Sequence, residues 1–116
     1  MAKFKHIEIA GVNGAALESF YGELFDWKIT QREVGGFMYR DIATNGDLTA
    51  GIREEPEGKA EVVAWVEVDD LDASFASAKS LGAAVRIEPM AYGDLRFALV
   101  EDPEGNPVGL LQAKDA

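Results

Sequence analysis

The chain repeats its own pattern once, with a shift of about 57 to 58 positions between the two copies. Each copy carries the order strand, helix and three further strands. The equivalent pairs are His6 with Val63, Ile9 with Val66, Leu24 with Leu81, Ile29 with Ile87, and Gly51 with Gly109. Such a repeat restricts the topology, because each copy is one supersecondary unit that leaves a sheet face uncovered by itself.

The helix signals recur at the same place in both copies. Alternation over residues 4–10 predicts a strand, and its two isoleucines are expected to face a helix. Asn13 is a good N-cap for the first helix, and Asp70 or Asp72 can cap the second. The first helix carries an apolar stripe at helical spacing, which predicts that this stripe packs on the sheet. The stripe consists of Leu17, Phe20, Tyr21 and Leu24.

These patterns predict one α+β domain over residues 1–116, built from two βαβββ repeats. The repeat halves are about 1–53 and 60–116, and the charged, breaker-rich segment 54–58 joins them. A ferredoxin-like arrangement is the alternative, since it also combines two helices with antiparallel strands. Three strands after each helix favour βαβββ.

Composition excludes several functional classes. The net charge is −10 and the basic residues are scattered, which argues against nucleic-acid binding. There are no cysteines, so disulfides and thiolate chemistry are absent. No apolar run approaches the ~20 residues of a membrane span, and the first residues lack the apolar region of a signal peptide. We therefore expect a cytoplasmic protein that does not bind membranes.

Three segments resemble a known superfamily in order and spacing. Residues 19–27 read Ser-Phe-Tyr-Gly-Glu-Leu-Phe-Asp-Trp, residues 66–72 read Val-Glu-Val-Asp-Asp-Leu-Asp, and residues 101–106 read Glu-Asp-Pro-Glu-Gly-Asn. Together with the repeat they are similar to the glyoxalase/bleomycin-resistance/extradiol dioxygenase (vicinal oxygen chelate) superfamily, in a member of single-module length. This resemblance implies a glyoxalase-like fold, in which a mixed sheet curls into a cupped half-barrel around a pocket. It also implies a homodimer.

The resemblance further implies where a metal would bind. Metal enzymes of this superfamily use four side chains, from the first and last strands of each half. His6 matches the first of these positions, whereas Val63, Gly51 and Gly109 stand at or near the other three. We therefore expect no cofactor and no metal at the family's site. A divalent metal held by an unusual set, drawn from His6, Glu8, Glu67 and Asp41, is the alternative.

His6 and Glu8 are the candidate catalytic residues, because strand alternation places them on one face. A carboxylate beside an imidazole favours the imidazolium and fixes the ring, so the two could act together in proton transfer. The structural alternatives are an exposed strand face, or an ion pair of Glu8 with Arg40 or Arg96. The candidate ligand-binding residues are Tyr39, Trp65, Glu67 and Arg96.

Three functional hypotheses follow. The first is a small-molecule-binding protein without the family's metal site, which takes a small organic ligand. The second is a lyase or isomerase that uses His6 and Glu8, with or without an unusual metal. The third is a non-catalytic interaction module whose site has decayed. Nucleophile elbows, P-loops and dinucleotide-binding glycine motifs are absent from the sequence.

Overall fold

A computed structural model describes residues 1–34 and 36–114, and of Phe37 the backbone only. It contains eight strands and two helices within these residues. In chain order they are β1 (Lys3–Gly11), α1 (Gly14–Phe25), β2 (Lys28–Val34), β3 (Phe37–Ala43), β4 (Thr49–Glu54), β5 (Glu61–Val68), α2 (Leu71–Ser80), β6 (Ala84–Tyr92), β7 (Leu95–Glu101) and β8 (Pro107–Gln112). The predicted α+β class and the two βαβββ repeats are confirmed.

The chain divides into two compact units. The first unit comprises residues 6–62, and the second comprises residues 1–5 together with 63–116. The second unit includes the chain's N-terminus, whose amino group pairs with the Asp69 carboxylate at 2.9 Å. That the whole chain behaves as a single domain stays a prediction.

Both units have the same strand order. In the first unit β1 pairs in parallel with β4, and β3 lies antiparallel between β4 and β2. In the second unit β5 pairs in parallel with β8, and β7 lies antiparallel between β8 and β6. Each helix is the crossover that follows the first strand of its unit. The parallel pair therefore joins the first and last strands of each repeat.

The predicted helix caps are confirmed. The Asn13 side chain accepts a hydrogen bond from the Ala16 amide at 3.0 Å, and Asp70 accepts one from the Ala73 amide at 3.1 Å. Helix α2 ends at Ser80, and Gly82, which follows the C-cap Leu81, has φ 95°, a left-handed conformation that glycine adopts without strain. None of the described helices is long and apolar enough to cross a membrane.

Helix α1 differs from the expectation. Phe20 and Leu24, predicted to pack on the sheet, are each 58% exposed, and the only buried residue of α1 is Gly14. A Cβ at Gly14 would overlap the Arg40 guanidinium, so the close approach requires glycine there. The first turn of the helix therefore sits on a buried arginine rather than on an apolar sheet face.

Strand β6 is longer than expected. The sequence signals at Pro89 and Gly93 predict a loop that carries Met90 and Tyr92, yet both residues lie within β6. The pairing of β6 with β7 shifts register on both sides of Ile87. An edge strand with bulges tolerates proline, because no neighbour needs its missing N–H.

The apolar core is concentrated in the second unit. One cluster lies between its sheet and α2, where Leu71 is fully buried. The other cluster covers the opposite sheet face and centres on Val63, Trp65 and Leu99. The Trp65 ring lies over Gly109, and a Cβ at Gly109 would overlap that ring.

We expect Gly109→Ala to lower the free energy of unfolding by about 1–3 kcal/mol, because the added methyl group displaces a buried indole. Urea unfolding of the variant measures this loss. Gly46→Ala is the matched control, since its nearest neighbour would be the Thr44 hydroxyl at 3.8 Å. Equal stability of Gly109→Ala and wild type would contradict the packing of Trp65 on Gly109.

Candidate functional site

Strand register gathers polar side chains on one face of the first unit. Glu8 pairs with Gly51 across β1 and β4, and Asp41 of β3 lies opposite Gly51 on its other side. Tyr39 lies opposite Arg53 in the same way. Residues paired across neighbouring strands point to the same sheet face. We call this surface the polar face; it consists of His6, Glu8, Arg32, Tyr39, Asp41, Thr49 and Arg53.

A continuous chain of hydrogen bonds runs through the polar face. The Tyr39 hydroxyl donates to Glu8 Oε2 at 3.0 Å and lies 2.9 Å from His6 Nε2. His6 Nδ1 lies 2.6 Å from the Thr49 hydroxyl. At the other end, Arg53 Nε donates to Glu8 Oε1 at 3.0 Å. Both oxygens of the Glu8 carboxylate therefore have a donor.

Glu8 is the buried centre of this chain, with 7% of its surface exposed. A carboxylate at this depth needs a countercharge and hydrogen bonds. Arg53 supplies the countercharge and also contacts Glu55 at 2.7 Å and Glu61 at 3.2 Å. The expected partners Arg40 and Arg96 are not used: Arg40 pairs with Glu18 and Glu54 on the helix side of the sheet.

Tyr39 fits between its neighbours because Gly51 has no side chain. A Cβ at Gly51 would overlap the Tyr39 ring. The Arg32 guanidinium lies 5.7 Å from the centre of that ring and binds both oxygens of Asp41, at 2.7 and 3.1 Å. The phenol is thus held by the glycine beneath it, by a cation, and by hydrogen bonds to His6 and Glu8.

The environment keeps the His6 imidazole neutral. Burial lowers the pKa of His6, and the nearby Glu8 carboxylate opposes this only in part. Burial and the Glu8 charge raise the pKa of the Tyr39 hydroxyl, which stays protonated. Since Tyr39 donates to Glu8, its oxygen accepts from His6 Nε2–H. We therefore assign the Nε2–H tautomer, whose Nδ1 accepts from Thr49.

The other three predicted ligand residues belong to the second unit. Trp65 packs with Val63 and Leu99 in the apolar cluster and meets the Phe97 ring edge-on at 5.8 Å between centroids. Glu67 lies 3.7 Å from the Lys3 amine. Arg96 pairs with Asp72 of α2 at 3.3 Å, which differs from the expectation.

The alternation of side chains between the two faces of β7 explains the position of Arg96. Phe97 and Leu99 of β7 belong to the Trp65 cluster, whereas Ala98 and Val100 pack under α2. Arg96 shares the parity of Ala98 and therefore points to the helix side. Within each unit, the structure groups His6, Glu8 and Tyr39 together, and it places Arg96 on the face opposite to Trp65.

The two repeats carry opposite chemistry at equivalent positions. The polar face of the first unit and the Trp65 cluster of the second unit occupy the same strands and the same side of their sheets. The pairs are His6 with Val63, Glu8 with Trp65, Tyr39 with Phe97, Asp41 with Leu99, and Arg53 with Leu111. One scaffold thus holds a hydrogen-bonded network in one copy and an apolar cluster in the other.

The residues present do not fit the metal that the family resemblance implies. At Gly51 and Gly109 no ligand side chain exists, and aromatic rings take up the space above both glycines. Within residues 1–34 and 36–114, no group of three or more His, Cys, Asp or Glu side chains could hold a metal ion. In the first unit, the Tyr39 hydroxyl connects the His6 imidazole to the Glu8 carboxylate by hydrogen bonds.

Sequence reasoning missed Arg53, Thr49 and the role of Arg32. Arg53 stands two residues after Gly51 and therefore shares its sheet face. The parallel pairing of β1 with β4 places that face beside Glu8. The repeat order contained this signal, because the last strand of each half was already expected to contribute to a site.

We expect Tyr39→Phe to lower the free energy of unfolding by about 1–3 kcal/mol, because it leaves a buried Glu8 oxygen without its donor. Urea unfolding measures the loss. Tyr92→Phe is the matched control, since no described residue hydrogen-bonds the Tyr92 hydroxyl. Similar losses in the two variants would contradict the network.

His6 is the only histidine, so its ring signals can be followed without interference. We expect its NMR titration midpoint to lie below the ordinary value of 6.5. As the pH falls below that value the unfolded chain binds the proton first, so the native state loses stability. This loss should be smaller in His6→Gln. A midpoint above the ordinary value would contradict the neutral, half-buried ring.

Comparisons with known proteins agree with this architecture. The model of the family described as "Glyoxalase-like domain" matches residues 7–111. No protein of curated function matches the chain.

Several solved structures share the fold. A hypothetical protein from Bacillus halodurans C-125 is 15% identical, with a TM-score of 0.75 over 99% of this chain and 96% of that one. Methylmalonyl-CoA epimerase from Mycobacterium tuberculosis is 14% identical, with a TM-score of 0.70 over 97% and 88% of the chains. A variant of the Streptomyces coelicolor epimerase, in complex with 2-nitronate-propionyl-CoA, is 16% identical, with a TM-score of 0.69 over 97% and 98%. At these identities the likeness concerns the fold. The family match covers nearly the whole chain, and the protein therefore belongs to the glyoxalase-like domain family.

Proposed function

We propose that this protein binds a small, uncharged organic molecule on the polar face of its first unit, without a metal ion. The observation that carries this proposal is the internal pairing of every charge on that face. Glu8 is matched by Arg53, Asp41 is matched by Arg32, and His6 is neutral. The face offers hydrogen bonds and an aromatic ring, but no unpaired charge.

Because the charged side chains of the polar face pair with one another, they favour an uncharged ligand. A charged molecule gives up hydration when it binds, and it recovers this cost only if it meets an unpaired countercharge. Arg53 already contacts three carboxylates, so its charge is not available to an anion. A cation would have to compete with Arg53 or Arg32 for its carboxylate. A neutral molecule avoids both costs.

The more exposed members of the polar face are where such a molecule would bind. Thr49 is exposed and stands at the outer end of the hydrogen-bond chain, beside His6 Nδ1. Arg32 is exposed and Asp41 is half-buried at the other side of the Tyr39 ring. A planar molecule between these points could contact the ring and exchange hydrogen bonds with Thr49.

The structural relatives support a ligand-binding role, but the ligand proposed here differs in charge from the one bound by the epimerase. The Streptomyces coelicolor epimerase has been solved with 2-nitronate-propionyl-CoA. The phosphates of such a ligand are strongly anionic. The present chain has a net charge of −10, which repels polyanions. We therefore favour a ligand that lacks phosphate groups.

A matched series of planar probes tests the proposal. Benzamide, benzoate and benzamidinium have nearly the same shape and differ in charge. We expect benzamide to shift the His6 ring signals in NMR titrations at millimolar concentration, with binding at least about 5-fold tighter than either ion, the equivalent of about 1 kcal/mol. A wider fragment set, grouped by charge in the same way, extends the comparison.

Variants locate the binding. Thr49→Val should weaken benzamide binding, whereas Thr44→Val, in the turn between β3 and β4, should leave it unchanged. Tighter binding of benzoate, or hits that leave the His6 signals unmoved, would contradict the proposal. A lack of hits throughout the wider set would favour an interaction module with a decayed site.

A lyase or isomerase is the second candidate, favoured by one observation. The lowered pKa keeps His6 unprotonated at neutral pH, as a general base must be. Against it, both Glu8 oxygens already accept hydrogen bonds, from Tyr39 and Arg53, and the residue is buried, so a substrate has little access to it. Turnover lost in His6→Ala while ligand binding survives would favour this enzyme. Stoichiometric metal in wild type but not in His6→Ala would favour its metal-dependent form.

A further inference from the structure

An open groove of about 240 Å³ lies between helix α1 and the start of β2, within the first unit. The residues that line it are Glu18, Ser19, Gly22, Glu23, Trp27 and Ile29. The groove is on the helix side of the sheet, where Gln31 of β2 donates to Glu18 at 3.2 Å. The polar face is on the other side, so the groove is a separate feature of the first unit.

Gly22 keeps this groove open, although packing does not require a glycine there. A Cβ at Gly22 would meet the Trp27 carbonyl oxygen at 3.6 Å and Ile29 Cδ1 at 3.8 Å, which are ordinary contacts. At Gly14, by contrast, a Cβ would overlap the Arg40 guanidinium. Glycine weakens a helix relative to alanine. A glycine that costs stability without a packing reason points to a use for the empty space beside it.

The second repeat has a lysine at the equivalent position. The shift of 57 that relates Leu24 to Leu81 also relates Gly22 to Lys79. Lys79 lies in the last turn of α2, and its amine is 5.3 Å from the centre of the Phe75 ring, one helical turn earlier. The residue equivalent to Phe75 is Glu18. The first repeat therefore has a carboxylate in place of the ring, and an open groove in place of the lysine side chain.

The electrostatics at this end of α1 favour a cation. Partial negative charge collects at the C-terminus of a helix, so a basic residue in the last turn stabilises it. Residues 22–25, the last turn of α1, include no basic residue, but they include Glu23, and the C-cap is Asp26. Glu23 pairs with no other described residue. The helix end thus carries negative charge that the described part of the chain does not neutralise.

Glu18 keeps one carboxylate oxygen for a further donor. Arg40 Nε at 2.8 Å and Gln31 Nε2 at 3.2 Å both donate to Oε1, and no described donor contacts Oε2. Arg40 also divides its charge between Glu18 and Glu54. An ammonium group beside Glu18 therefore meets a carboxylate that is only partly neutralised.

Trp27 provides a rigid apolar wall. Its ring centre lies 4.7 Å from that of Phe25 and 6.4 Å from that of Tyr21. These contacts hold the indole in place before a ligand binds. The face of an indole attracts ammonium groups and the methylene groups next to them. A bare metal ion would gain nothing from this wall, and the two glutamates would repel an anion.

We propose that this groove binds an alkylammonium ion, whose chain and charge take the place of the lysine side chain found in the second repeat. The alkyl chain packs over Gly22 against Trp27 and Ile29. The ammonium group donates hydrogen bonds to Glu18 Oε2 and to Glu23. A carboxylate at position 18 and a cation at position 22 have the i, i+4 spacing of the favourable glutamate–lysine pair on a helix.

n-Butylammonium reproduces a lysine side chain and is the probe for this site. NMR titrations at constant ionic strength follow the Trp27 indole N–H signal, which Trp27→Phe distinguishes from that of Trp65. We expect saturable binding with a dissociation constant on the order of 1–10 mM. n-Butanol and butyrate have similar chains but a neutral and a negative head group. Both should bind at least about 5-fold more weakly.

Removal of one carboxylate tests the ion pair. Glu23→Gln should weaken n-butylammonium binding at least about 3-fold, because it removes an unpaired charge from the groove. Glu57→Gln is the matched control, since it removes the same charge from the exposed segment 54–58 and should leave binding unchanged.

Substitutions at Gly22 test the equivalence with lysine. Gly22→Lys should abolish n-butylammonium binding, because it fills the groove with a tethered ammonium group. Gly22→Met is the matched control, with similar length and helix propensity but no charge. It should also block the groove. Only Gly22→Lys should gain stability that decreases as salt is added, since salt screens an exposed ion pair. Urea unfolding at low and high salt measures this difference.

The same unfolding data check the fold of these variants. Both substitutions replace glycine by a better helix former, so neither should be less stable than the wild type. Loss of binding in Gly22→Lys then reflects an occupied groove and not an unfolded chain.

Four outcomes would overturn the proposal. The first is a Trp27 signal that n-butylammonium does not shift to saturation. The second is equal binding of n-butanol, and the third is unchanged binding in Gly22→Lys. The fourth is a stability difference between Gly22→Lys and Gly22→Met that does not respond to salt. The Trp27 signal reports on the groove and the His6 signals report on the polar face, so either proposal can fail while the other stands.

Discussion

The hydrogen bonds of the Tyr39 hydroxyl are the interactions on which the rest of the polar face depends. The hydroxyl donates to a nearly buried carboxylate, and its oxygen accepts from the only imidazole in the chain. Because a phenol has one proton, its donation to Glu8 fixes which nitrogen of His6 carries hydrogen. The ring can reach this position only because Gly51 lies beneath it. One glycine thus makes room for the hydroxyl that fixes the tautomer of His6.

In both repeats an aromatic ring fills the space above a glycine of the last strand, and the consequences differ between the two repeats. In the second unit Trp65 fills the space above Gly109 and joins an apolar cluster. In the first unit Tyr39 fills the space above Gly51 and organises charges. The family fold is retained, while the two glycines that the resemblance places at or near metal-ligand positions lie under rings that serve packing in one copy and hydrogen bonding in the other.

Much of the fold could be predicted from local signals. Asn13, Asp70 and Gly82 act on their own helix ends, so their roles follow from the nearby sequence. Helix α1 was less predictable, because its apolar residues suit either the sheet or a second helix. Met90 and Tyr92 were assigned to a loop because Pro89 is a strong local breaker, and the bulged edge strand that accommodates it depends on long-range pairing.

The site was predictable where alternation along one strand was enough. His6 and Glu8 share a face in any register, so their proximity follows from the sequence. Arg53 joins them only through the parallel pairing of β1 with β4, which connects residues far apart in the chain. Arg96 lies elsewhere because its strand parity points to α2, and periodicity alone does not say which parity faces a ligand.

The contrast between the two repeats has an evolutionary consequence. Most of the buried apolar side chains lie in the second unit, which gives that copy the larger share of the hydrophobic stabilisation. A protein tolerates destabilising changes only while its total stability stays above a threshold. The second unit supplies that stability, so the first unit can tolerate substitutions on its polar face. Drift in ligand preference is therefore expected to concentrate in one half of the gene.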